Sequence, residues 1–349
     1  MVELMRNRIG YIDAAKGILI ICLFYGHSAV YGEMLGIDIE GAHLIWKTIG
    51  LYDSFFMQTF FIITGFCSSF DGDFGKFVWK CIKTILIPGM LLSLLGNLLY
   101  GALFFEHVNY MDTVLKICEW FTLGGEWFIM ALFLSKLITW FILKACVKAQ
   151  LYIIIVLYFV GLYLNYYDLI PNYIWHRHTL LLLPFLYMGC CLKKKMNKIE
   201  PFLKPIGIIG IFLIAIETLL CNKGYFDRPF LAHGINVYLY NSPIHFVNVI
   251  GGTSFIFWLS KKVSNIEFLC TIGRGSLFMF LWNGVFIRIF ILCICRIDII
   301  DTHNQYTGFI FYLIVTILSI IVGWFFVKII LCSSSDFMDS WKMVIVNSK

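Results

Sequence analysis

The chain has 349 residues, 60% of them hydrophobic and 14% charged, and a formal net charge of +6. Its mean hydropathy is +0.85. Such a composition excludes a soluble globular domain and predicts an all-α, polytopic membrane protein: many apolar runs are long enough to span a bilayer, and they lack the alternation of a membrane barrel.

In chain order, ten spans are expected, over residues 9–30, 51–70, 84–105, 127–143, 151–167, 179–192, 206–220, 244–259, 276–295 and 308–331. The sixth and seventh are short. Alternate connections then differ in charge, with 19 lysines and arginines on one side, 7 on the other and Lys136 inside a span. By the positive-inside rule both termini are expected to be cytoplasmic. The positive charge is thus a matter of topology and gives no reason to expect nucleic acid. Residues 1–8 are read as a cytoplasmic N-terminus, 9–331 as one transmembrane domain and 332–349 as a cytoplasmic tail. Arg6 and Arg8 precede an apolar segment as in a signal peptide, but without a small-residue cleavage site the segment is expected to be retained.

The exterior connections mix carboxylates with aromatic residues, among them Glu33, Asp38, Glu40, Trp46, Tyr110, Trp120, Tyr173 and Trp175. This fits either a sugar-binding mouth or an interfacial aromatic belt. The twelve cysteines form no CxxC pair and no Cys/His spacing suited to a metal, so they read as small buried hydrophobes and no metal is expected.

The first span holds the central motif, from Asp13 through Lys16 to His27. Eleven steps of about 100° return almost to the starting angle, so Lys16 and His27 share a helix face about 16 Å apart along the axis. With Lys16 at one membrane surface, His27 lies near the bilayer middle. A histidine there is a general base, a proton relay or a polar group satisfied by a neighbouring helix. Asp13, three residues before Lys16, is close enough to pair with its amine.

Lys80 and Lys83 stand three apart at the cytoplasmic entry of the third span and are expected to share one helix face. They read either as positive-inside anchors or, with Lys16, as a clamp for a phosphate-bearing carrier. Pro88 marks a kink or a first turn. Glu126 and Trp127 open the fourth span: the carboxylate is placed to orient a polar acceptor, and the indole either stacks on a sugar or anchors the interface. Lys136, Glu217 and Arg288 also fall within spans.

The stretch Arg8-Ile-Gly-Tyr-Ile-Asp-Ala-Ala-Lys-Gly-Ile-Leu-Ile-Ile-Cys-Leu-Phe-Tyr-Gly-His-Ser28 resembles the opening of the membrane-bound acyltransferase family 3, and most closely its fucose 4-O-acetylase-like branch. There an arginine or lysine is followed, after ten residues, by a histidine; here these are Lys16 and His27. A basic pair with two residues between matches Lys80 and Lys83. Phe60-Phe-Ile-Ile-Thr-Gly-Phe66, Glu126-Trp-Phe-Ile129, Phe185-Leu-Tyr-Met-Gly-Cys-Cys-Leu-Lys-Lys-Lys195 and Ile272-Gly-Arg-Gly-Ser-Leu277 are similar to later family motifs. The chain departs at Phe55-Phe-Met-Gln58, where Phe-His-Met-Pro is common, and at Asn283, where a histidine is common.

The resemblance implies an integral-membrane O-acyltransferase, most often an acetyltransferase, moving an acyl group from cytoplasmic acetyl-CoA or another acyl-CoA to a hydroxyl of a cell-surface or lipid-linked glycan. On that reading His27, Asp13 and Glu126 are catalytic, Lys16, Lys80 and Lys83 hold the CoA phosphates, and Trp127 and Asn283 meet the substrate. Its partners would be acyl-CoA, the glycan acceptor and the lipids of a bacterial inner or plasma membrane. The alternative is a transporter or flippase of lipid-linked sugars, in which His27, Lys136, Glu217 and Arg288 relay protons or bind cargo.

Overall fold

The computed structural model describes residues 10–36, 40–104, 126–167, 174–225, 239, 241–297 and 304–346. Among them the regular elements are helical. They are α1 (Gly10–Met34), α2 (Ala42–Asp53), α3 (Phe56–Cys67), α4 (Phe74–Cys81), a π-turn (Ile82–Leu86), α5 (Ile87–Phe104), α6 (Trp127–Ile142), α7 (Val147–Tyr167) and α8 (Ile174–Ile199). A 3-10 turn (Glu200–Phe202) leads into α9 (Leu203–Asn222), and α10 (Ser242–Lys262), α11 (Glu267–Arg274), α12 (Ser276–Ile297) and α13 (Gln305–Val346) follow.

Eight helical runs among the described residues are long and apolar enough to cross a membrane, and α6 is a shorter apolar helix. The predicted sixth and seventh spans share one of these runs, the 45 residues His178–Asn222, interrupted at Glu200–Phe202 where Pro201 sits in the 3-10 turn. Burial is inverted relative to a protein in water. Gln58, Thr59 and Ser135 are fully buried, whereas Leu95, Phe159 and Phe212 are 54%, 52% and 65% exposed. Only an apolar solvent makes that arrangement stable, since bare leucine and phenylalanine cost little in lipid and unsatisfied polar groups cost several kcal/mol. The protein is therefore a multi-pass membrane protein.

Two departures from regular helix mark the second and third predicted spans. The second begins earlier than expected and is broken between α2 and α3, where Asp53 and Ser54 are nonetheless buried. In the third, the π-turn lies directly before Pro88, the second residue of α5. Pro88 has no N–H and its ring crowds the carbonyl four residues back, and the i→i+5 bond from the Ile87 amide to the Ile82 carbonyl accommodates the change. Pro88 thus lies within the continuous helical run Phe74–Leu99, at its π-turn irregularity, and not in a first turn.

The chain divides into two compact units, Met1–Ile45 with Leu259–Lys349, and Trp46–Trp258. In the first, α1 packs on α11 at a contact too close for side chains. A Cβ at Gly17 would overlap the Leu269 carbonyl and one at Gly273 would overlap the Asp13 carbonyl. In the second, α3 meets α8 in the same reciprocal way, Gly65 against the Leu186 carbonyl and Gly189 against the Ile62 carbonyl. Small residues that let backbones touch are how membrane helices gain packing energy when lipid tails are as apolar as leucine. The glycines of the Phe60–Phe66 and Phe185–Lys195 motifs therefore serve one contact.

Candidate functional site

His27 lies in an unbroken α1, half-buried, on the face it shares with Lys16. Its Nδ1 is 2.7 Å from Oδ1 of Asn283, a buried residue of α12. The Asn283 amide nitrogen donates to the Phe280 carbonyl one turn back. A carbonyl can only accept, so this second bond fixes the amide with its oxygen towards His27. The histidine then donates from Nδ1, and Nε2 carries the lone pair. The assignment rests on hydrogen-bond logic and yields a base-competent imidazole with a defined orientation.

Tyr31, one turn further along α1, meets the imidazole edge to face with ring centroids 5.6 Å apart. The guanidinium of Arg288 stands 4.6 Å over the Tyr31 ring, an arrangement that satisfies an arginine within an apolar span. Gly284 makes room for it, since a Cβ there would press on the Tyr31 ring and hydroxyl. Asn283, Gly284 and Arg288 of α12 therefore organise the wall beside His27. Ser28, directly after the histidine, is fully buried and donates to the Tyr25 carbonyl at 2.7 Å, which commits its proton to the backbone.

The other expected site residues fall as follows. Asp13 is buried where α11 crosses α1, and Cys270 is among its electrostatic neighbours. Among the described residues Lys16 makes no ion pair, so the expected Asp13–Lys16 pairing does not form. Lys80 and Lys83 are exposed in the second unit, on either side of the start of the π-turn. Lys83 turns its ammonium over the Trp79 ring at 5.0 Å, while Lys80 is an electrostatic neighbour of Lys136. Glu126 is exposed immediately before α6, and Trp127 is half-buried with its ring 4.7 Å from that of His178. Gly124 and Gly125 lie outside the described residues, as do most of the exterior carboxylates and aromatics.

A second buried polar centre escapes the sequence reading. Gln58 Nε2 lies 3.3 Å from His245 Nε2, with both side chains buried, and the His245 ring packs edge-on against Phe185 at 5.5 Å. Along the same helix Asn248 donates to Glu217 at 2.6 Å, and Thr253 shares a 2.8 Å hydrogen bond with Thr59. Ser242 shares one of 2.6 Å with Tyr158. The spacing carries a signal, because Asn241, His245, Asn248 and Gly252 recur at helical intervals inside an apolar run. Gln58 is also one of the positions at which the chain departs from the usual Phe-His-Met-Pro.

No curated relative and no solved structure matches the chain. The family described as an acyltransferase domain, acyltransferase 3, matches residues 9–328. That region runs from the start of α1 into α13 and includes the histidine, its asparagine partner and the basic residues, so the chain belongs to this family of membrane acyltransferases.

Proposed function

We propose that the protein is an acyl-CoA-dependent O-acyltransferase of the fucose 4-O-acetylase-like branch, acting on a hydroxyl of a glycan. Ten spans with both termini cytoplasmic would bring the donor to His27 from one side of the membrane and the acceptor from the other. The observation that carries this reading is the His27–Asn283 hydrogen bond, which orients a half-buried imidazole with Nε2 as its basic nitrogen. Lys16, on the same helix face, would be the cation that marks the donor's path, and Lys80 and Lys83 would be further partners for phosphate. Glu126 and Trp127 would meet the acceptor.

In the step so assigned, the acceptor hydroxyl oxygen attacks the thioester carbonyl carbon while Nε2 takes the hydroxyl proton. The tetrahedral intermediate collapses with cleavage of the carbon–sulfur bond. The leaving CoA thiolate takes the proton back from the imidazolium, giving an ester and a free thiol with no net proton change. The asparagine holds the ring's other nitrogen as a donor throughout, which favours the imidazolium form as it appears.

The test is thiol release from acetyl-CoA by purified protein in lipid, with wild type beside H27A and H27Q. Release that needs His27 and rises with a sugar acceptor supports the proposal. Folded protein that releases no thiol from any short acyl-CoA refutes it, and release that survives without His27 removes the assigned base.

A further inference from the structure

Glu217 is a carboxyl inside a predicted span, and its partner is an amide. It lies five residues before the end of α9 at Asn222, and Asn248, six residues into α10, donates from Nδ2 to its Oε2 at 2.6 Å. The two helices run antiparallel in backbone contact: a Cβ at Gly210 would overlap Gly251, and one at Gly207 would press on the Phe255 backbone. Glu217 and Asn248 therefore meet at a fixed spacing, each about 8 Å along its axis from the same end of the helix pair.

Among the described residues Glu217 makes this hydrogen bond and no ion pair, and no charged side chain is among its electrostatic neighbours. Asn248 is 2% exposed, but Glu217 is only half-buried. Leu213 and Ile216 beside it on α9, and Ile244 and Val247 beside Asn248 on α10, are exposed. In a membrane protein such apolar side chains face lipid, so the carboxyl stands in a lipid-facing crevice between two helices. A carboxylate there is costly without a cation, and local thinning of the bilayer draws headgroups down to such a charge. The cation with N–H donors that lipid supplies is the primary ammonium of an ethanolamine headgroup. Its three donors suit the carboxylate oxygens, whereas a choline headgroup has none.

We propose that Glu217, held in place by Asn248, binds the ammonium of an aminophospholipid headgroup in the crevice between α9 and α10. The assignment is independent of the acyl-transfer reading, since it uses only the charge of the carboxyl and its place in the membrane.

Thermal unfolding of full-length wild type and E217Q is followed in nanodiscs of phosphatidylcholine alone and of phosphatidylcholine mixed with phosphatidylethanolamine. Wild type is expected to unfold at a higher temperature with phosphatidylethanolamine, and E217Q is expected to lose that shift. In phosphatidylcholine alone E217Q should be at least as stable as wild type, because the amide removes an uncompensated charge. The proposal is refuted if wild type gains nothing from phosphatidylethanolamine, or if E217Q gains as much as wild type does. Should E217Q fail to fold, wild type alone decides: a shift that shrinks when N,N-dimethylated phosphatidylethanolamine replaces the parent lipid supports the site, and an equal shift refutes it. Stabilisation of wild type by glucosamine in phosphatidylcholine discs that is absent in E217Q, with no effect of phosphatidylethanolamine, would overturn the lipid assignment in favour of an amino sugar.

Discussion

Asn283 presents its amide oxygen to Nδ1 of His27 at 2.7 Å because its amide nitrogen is held by the Phe280 carbonyl. A general base is worth about 10²–10⁴ in rate only when its lone pair faces the proton it takes. Replacing Asn283 by alanine removes the tautomer control without removing the base. The kcat of N283A is expected to fall about 10- to 100-fold with little change in KM, less than the loss of the base itself would cost. Nitrogen NMR of labelled histidine should show His27 protonated at Nδ1 in wild type and as a tautomer mixture in N283A. An unchanged tautomer in N283A would refute the positioning role.

Ser28 follows the histidine and has a hydroxyl, which makes it a natural candidate for holding a developing oxyanion. Its proton, however, is donated to the Tyr25 carbonyl within the helix. S28A should therefore keep acyl transfer within about threefold of wild type, against the 10²–10³ that loss of an oxyanion donor costs. A loss of two orders of magnitude in S28A would mean that the hydroxyl swings away from the backbone during the reaction.

Tyr31 stands between the His27 ring and the Arg288 guanidinium. What both contacts use is the aromatic ring. Y31F should keep activity close to wild type. Y31L should lower both activity and thermal stability, by about 0.5–2 kcal/mol for the lost cation–ring contact. Equal losses in the two variants would show that the hydroxyl is the important group.

The reciprocal contact of Gly65 with the Leu186 carbonyl and Gly189 with the Ile62 carbonyl leaves no space for a methyl group. G65A and G189A should each destabilise the protein by about 1–3 kcal/mol, as forced separation of packed elements does. Because both act on one crossing, the double variant should cost clearly less than the sum. Unfolding in detergent gives the comparison, and strict additivity would show that α3 and α8 can part at one glycine without affecting the other.

The sequence by itself determined what local chemistry can determine. The excess of leucine, isoleucine and phenylalanine demands a lipid solvent, and the family motifs lie along the chain in order. The eleven-residue step from Lys16 to His27 needs only an unbroken helix to place both on one face, and α1 is unbroken. Gln58 and Asn283 stood out as departures from family pattern, but nothing in the string says what replaces the expected residues. Partner choice was decided by tertiary structure. Asn283 lies 256 residues from His27, Gln58 lies 187 from His245, and Lys83 turns to Trp79. Even local regularity yielded in two places, the break at Ser54–Phe55 and the π-turn before Pro88. The reason is physical: helices that are apolar on every side carry little information about which face turns inward. Their rotation and register are fixed by a few glycine contacts and buried hydrogen bonds between distant segments.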